Sequence, residues 1–178
     1  MSHQFPSQNN SPISECSAGC IRNKIFKLII VFIFAFYLVA VAFVYYKTRY
    51  YHPTISLLDH IRYNSNFIPF KTVWEYAEHI KNETVNFDSI MWNLLGNLIL
   101  YLPFGGFLPL IFSKLRSFKK TICVSLAVIF LAELSQMLFK YGRFDVDDII
   151  LNTAGAAVGY LIWKLFDRFC SSHKLKYI

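Results

Sequence analysis

Four long apolar runs decide most of what this chain can become. They cover about residues 25–46, 90–112, 121–139 and 147–166, close to the roughly 20 residues that carry a helix across a bilayer. Inside hydrocarbon every backbone N–H and C=O must be satisfied within the protein, which leaves helices and closed barrels. Long apolar runs without strict alternation select helices. Of the 178 residues, 55% are hydrophobic and only 16% charged, against about a quarter charged in soluble domains. The expected fold is an all-α integral membrane bundle of four transmembrane helices. The uncharged part of the fourth run, 149–163, is short, so its ends are expected in the interface. Trp92, Trp163 and several tyrosines lie near the predicted edges, where an aromatic belt would place them. The first run is too long for a signal-peptide core and is followed by Tyr45-Tyr46-Lys47 instead of a small-residue cleavage site.

The domain reading is a polar tail over 1–24, rich in Ser, Asn and Gln and expected to be disordered, a membrane domain over 25–168, and a second tail over 169–178. Orientation follows from Lys and Arg. With the N-terminus inside, the inner pieces 1–27, 113–120 and 164–178 hold eleven Lys/Arg and two acids, whereas the outer pieces 47–89 and 140–148 hold seven and eight. Both termini are therefore expected in the cytoplasm. The formal charge of +7 is mostly this topology signal. No arginine–aromatic interleaving points to nucleic acid. Cys16, Cys20, Cys123 and Cys170 all fall on the inner side or in the bilayer, which argues against a disulfide framework.

The loop 47–89 is the largest piece outside the membrane. Pro69 pushes Ile68 away from helix. Thr72 followed by Glu75 reads as a capping box, and 73–80 as an amphipathic helix on the outer surface.

The polar residues inside or beside the runs are the functional candidates. Asp145, Asp148, Asn152, Gly155 and Gly159 follow spacings of three, four, three and four, one stripe of a helix. Counting about 1.5 Å per residue, Asn97, Glu133 and Asn152 fall in the outer half of the membrane, with Gln136 on the face of Glu133. Arg143, Asp145 and Asp148 close the top. This gives an outward polar pocket of Asn97, Glu133, Gln136, Arg143, Asp145, Asp148 and Asn152. An intramembrane carboxylate is costly unless neutral, paired or wetted, and Arg143 and the amides are its expected partners. The same residues also admit an architectural reading. Amides bridge helices, Asp145 or Asp147 can cap the fourth helix, and Glu133 can pair with Arg143. Gly155 and Gly159 read as close helix packing. The Pro103-Phe104-Gly105-Gly106 step is expected to break or kink the second helix. No H-E-x-x-H, G-x-S-x-G or P-loop occurs. The oxygens of Glu133, Asp145 and Asp148 would suit Mg²⁺ or Ca²⁺, but the spacing fixes no metal site, and no cofactor is indicated.

Four blocks carry a resemblance to a known family: Asn66-Phe-Ile-Pro-Phe70, Asn97-Leu-Ile-Leu-Tyr-Leu-Pro-Phe-Gly105, Glu133-Leu-Ser-Gln136, and Arg143-Phe-Asp-Val-Asp-Asp-Ile-Ile-Leu-Asn-Thr-Ala-Gly155 running on to Gly159. In this order they resemble the VanZ-like membrane proteins, over about residues 50–166. The resemblance implies a multi-pass protein of the bacterial plasma membrane, with members in Gram-positive bacteria linked to low-level resistance to glycopeptides such as teicoplanin. Asn66, Pro69, Pro103, Gly105, Gly155 and Gly159 are assigned to architecture. A membrane lipid, a lipid-linked cell-wall precursor or a lipoglycopeptide is the expected partner, and an oligomer is compatible. Two other readings stay open. One is an intramembrane enzyme using Glu133 or Asp148 as general base on a lipid-linked substrate; the other is a structural or partner-organising protein.

Overall fold

The computed structural model describes residues 12–47, 56–82 and 86–172. In chain order they form α1 (Pro12–Lys47), α2 (Leu57–Tyr63), β1 (Ser65–Asn66), α3 (Lys71–Lys81), α4 (Phe87–Ile111), a 3-10 turn at Ser113–Leu115, α5 (Phe118–Leu138), β2 (Phe144–Asp145) and α6 (Val146–Ser172). Four stretches are long and apolar enough to cross a membrane: Lys24–Val44, Ile90–Ile111, Phe118–Leu138 and Val146–Ser172. The protein is an all-α membrane bundle. The first helix starts at Pro12, so residues 12–24 are helical and not the disordered tail expected from composition; residues 1–11 lie outside the described residues. Proline is pre-set for a first helical position. Extending a helix that the bilayer already nucleates needs no new nucleus.

The pair α4 and α6 forms the spine. A Cβ built on Gly155 would lie 2.0 Å from the carbonyl oxygen of Leu98, one on Gly159 1.9 Å from that of Leu102, and one on Gly105 1.9 Å from that of Ala156. The backbones touch, as only glycine permits. Because 98 meets 155 and 102 meets 159, the two helices run parallel, with α5 returning the chain between them. Helix α4 continues through Pro103 and Pro109, so the expected break does not occur; packed neighbours make proline tolerable in such helices.

Trp163 is 7% exposed, its ring 5.4 Å from that of Tyr160 and tilted by 51°, while Trp92 is 77% exposed. Trp163 is thus a core residue and not part of an aromatic belt. The Tyr160 hydroxyl donates to the Arg116 carbonyl at 2.8 Å and fixes the turn between α4 and α5.

Helix α1 is attached by Ile30 and Phe34, which enter a core with Tyr101, Phe104, Leu108, Ile111 and Ile129. The Tyr37 hydroxyl donates to the Leu100 carbonyl. Phe32 and Phe36 face outward, as lipid-facing residues do.

At one end of the bundle the chain builds a small cap. Helix α5 closes through Lys140, held left-handed at φ 58, with Lys140 N–H donating to the Met137 carbonyl and Tyr141 N–H to that of Gln136. This paired 5→2 and 6→1 pattern is a Schellman ending. It turns the chain into β2, which pairs in parallel with β1, Ser65 opposite Phe144 and Asn66 opposite Asp145. Neither strand nor α2 is visible as a local pattern in the sequence.

Candidate functional site

The polar residues of the cap divide into two groups with different roles. The first joins the 65–73 segment to the mouth of α6. Asp145 is 1% exposed, and four donors engage its oxygens. Asn66 Nδ2 (3.0 Å) and the Asp147 backbone N–H (3.0 Å) reach Oδ1; the Thr72 hydroxyl (2.7 Å) and Arg143 Nη2 (2.6 Å) reach Oδ2. The bond from Asp147 N–H makes Asp145 the cap of α6. The Thr72 hydroxyl also accepts from Asn66 Nδ2 at 3.1 Å and from Arg143 Nη2 at 2.8 Å.

Asp147, 2% exposed, caps a different helix. Its Oδ2 accepts the backbone N–H of Thr72 at 2.8 Å and of Val73 at 3.4 Å, and its Oδ1 that of Phe70. The remaining N–H groups of the first turn of α3 go to the Ile68 carbonyl from Lys71 and to the Phe70 carbonyl from Trp74. All four orphan donors of that helix end are therefore accounted for, with a negative charge against the positive end of the helix dipole. Phe70 is held left-handed at φ 65 to make this fit, a conformation costing about 1–2 kcal/mol for a non-glycine residue.

This geometry departs from the expected one at several positions. Thr72 does not cap α3, because its hydroxyl is committed to Asp145. Arg143 pairs with Asp145 and not with Glu133. Burial pulls the Arg143 guanidinium down, but the adjacent Asp145 carboxylate outweighs that, with Tyr76 and Asp148 adding to it, so it is held above its ordinary range as a permanent cation. Asp145, expected to face a ligand, is enclosed within the fastening. Asn66, assigned to architecture, is one of the bonds that closes it.

His60 belongs here too, although sequence distance separates it from the motif. It is fully buried, with Nε2 2.7 Å from the Gly142 carbonyl and Nδ1 3.2 Å from Asn64 Nδ2. Donation from Nε2–H to the carbonyl and acceptance at Nδ1 from the Asn64 amide satisfies both contacts.

The second group lies deeper. Glu133 and Gln136 on α5 and Asn152 on α6 are all fully buried. Asn97 Nδ2 donates to Asp148 Oδ1 across the α4–α6 seam, and both residues stay partly exposed. Asp148 and Asn152 are one turn apart on α6, on the same face. Among the described residues neither Nε2 nor Oε1 of Gln136 has a hydrogen-bond partner, although its backbone carbonyl holds the Schellman turn. An apolar cavity of about 320 Å³ opens between α1, α4 and α5, lined by Tyr37, Tyr101, Phe104, Leu131, Ala132 and Ser135; none of the buried polar side chains lines it. Among the described residues no three His, Cys, Asp or Glu side chains converge as metal ligands.

Residues 25–167 match the sequence pattern of the VanZ/LLP1 family. The chain belongs to that family. It is 25% identical over 142 residues to Protein VanZ of Enterococcus faecium, covering 79% of this chain and 77% of that protein. No solved structure matches it.

The VanZ/LLP1 match contains both polar groups, the fastening of 65–73 to α6 and the set buried between α4, α5 and α6. In this VanZ-like membrane protein the Asp-Val-Asp-Asp run is therefore split. Its first two aspartates hold the cap, and its third looks toward Asn97. Sequence reasoning left Asp147 with only a capping role on its own helix and passed over His60. The one local signal for the cap was the Pro69 turn, whose exit needs a helix cap from somewhere.

Proposed function

We propose that this VanZ-like membrane protein binds the polar part of an amphiphilic or lipid-linked ligand with Asn97, Glu133, Gln136, Asp148 and Asn152, and that this binding lowers glycopeptide susceptibility of the cell envelope. The observation that carries the reading is Gln136. A fully buried amide with neither end hydrogen-bonded costs about 1–3 kcal/mol per unmet group, and a fold has no reason to keep it where Leu or Met would fit. A ligand group that both donates and accepts would satisfy it. Arg143, with 41% of its side chain exposed beyond its contact with Asp145, supplies a cation for an anionic group at the rim. Asp145 has no such freedom and is left out of the ligand set. Positive-inside asymmetry supports a cap on the outer face of a bacterial plasma membrane and both termini in the cytoplasm.

The test is teicoplanin susceptibility of a Gram-positive host expressing the wild type, Gln136→Leu or Asp148→Asn at matched membrane levels. The wild type is expected to protect and both variants to lose most of that protection. Equal protection by all three would leave the buried polar set without a role in it.

A further inference from the structure

Helix α3 presents three different faces. Thr72 points into the fastening and is 5% exposed. One turn on, Tyr76 lies close enough for Arg143 to feel it electrostatically. Lys71, Glu75, Glu78 and Lys81 form a charged side, with Lys71 Nζ 3.7 Å from Glu75 Oε1. The third face holds Val73, Trp74, Ala77 and Ile80, all exposed, with Trp74 at 69%. The turn that leads into the helix continues it, with Phe67 59%, Ile68 63% and Phe70 64% exposed. So contiguous an apolar surface on an extramembrane segment is uncommon in water.

Its height is fixed by Asp147. That residue stands in the first turn of α6, where the candidate span Val146–Ser172 begins, and it grips the N-terminus of α3. The apolar face of α3 therefore starts level with the mouth of a membrane helix. Trp74 donates its indole N–H to Glu78 at 2.9 Å on the charged side, the half-apolar, half-polar placement that suits a tryptophan to the bilayer boundary.

We propose that α3 and the 67–70 turn are inserted in the interfacial zone of the same bilayer, as a monotopic element attached to the four-helix bundle. The occupant of the apolar face is the boundary between headgroups and acyl chains. Lys71 and Lys81 balance Glu75 and Glu78, so insertion is driven by apolar burial and does not require anionic lipid. The element rests on the fold alone and does not depend on which ligand the buried polar set binds.

The experiment reads Trp74 in the full-length chain reconstituted into phosphatidylcholine vesicles that contain lipids brominated at a shallow or a deep acyl position. Subtracting the emission of Trp74→Phe, or of Trp74→Tyr as a second conservative variant, isolates this residue from Trp92 and Trp163. Trp74 is expected to emit blue-shifted light, to be quenched most by shallow bromines and little by aqueous iodide, and to behave alike when anionic lipid is added. Strong iodide quenching with no bromolipid effect would place the helix in water and overturn the proposal. Protection from both quenchers would also overturn it, by assigning the face to protein, such as a second copy of the chain. A bromolipid effect that needs anionic lipid would overturn the apolar basis of the insertion.

Discussion

Gly155→Val and Gly159→Val are expected to leave little folded protein. Each new Cβ would lie about 2 Å from a carbonyl oxygen of α4, Leu98 for the first and Leu102 for the second. The obstacle is backbone, so no side chain can swing aside. The helices must separate, and every neighbour of the α4–α6 seam loses contact with it, including the Asn97–Asp148 hydrogen bond. Overpacking alone costs about 1–3 kcal/mol, and a clash with backbone belongs at or beyond the upper end of that range. In lipid no general hydrophobic force compensates, because helix association rests on close packing. A denaturation midpoint in mixed detergent micelles measures this. Gly96→Ala is the control. A Cβ there meets nothing within 4 Å, and alanine is the better helix former by about 1 kcal/mol, so its midpoint should hold or rise. Wild-type midpoints for the two valine variants would refute the backbone seam.

Asp147→Ala is expected to release the cap while sparing the spans. The alanine leaves the N–H groups of Phe70, Thr72 and Val73 without their acceptor, in a place where two of these hydrogen bonds are partly buried and one is buried. Bonds to a charged acceptor contribute about 1.5–3 kcal/mol each, but the freed segment can rehydrate, so a net loss of about 3 kcal/mol is the reasonable scale. The left-handed Phe70 loses its hold as well. Limited trypsin digestion reports the change, because Arg62, Lys71 and Lys81 all lie in the attached segment. Cleavage there should be much faster than in wild type, while fragments carrying α4 to α6 stay intact. Asp148→Asn, one position away, should show wild-type cleavage. Similar digestion of both variants would remove the distinction drawn between the two aspartates.

The spans were legible in the sequence because bilayer crossing imposes length and composition, both of which are local. The glycines of α6 were legible as packing because a spacing of four places them on one stripe. The expected helix over 73–80 also formed, as part of Lys71–Lys81. What joins that helix to the bundle was not legible. Asn66 and Asp145 are 79 residues apart and Thr72 and Asp147 75 apart, and no periodicity reports such pairings. The local rule made Thr72 its own helix's cap because Glu75 stands three residues on. A distant carboxylate won instead, since the Thr72 hydroxyl is taken up by Asp145, Asn66 and Arg143, while the two oxygens of one charged acceptor serve three N–H groups. The same limit hid His60, whose partner Gly142 is 82 residues away. Adjacent aspartates that look equivalent in a string stand about 100° apart on a helix. Thus Asp147 turns to α3 and Asp148 to α4.

On the proposed function, the polar residues divide into those that hold the fold and those that the fold tolerates for the sake of a ligand. The denaturation midpoint of Gln136→Met tests that division most directly. Methionine keeps the length of the side chain and removes both unmet polar atoms. If the amide serves a ligand, the ligand-free variant should be at least as stable as the wild type, because replacing a buried unsatisfied group by an apolar one of similar shape is neutral or stabilising. A midpoint well below that of the wild type would make Gln136 a structural residue and contradict the account.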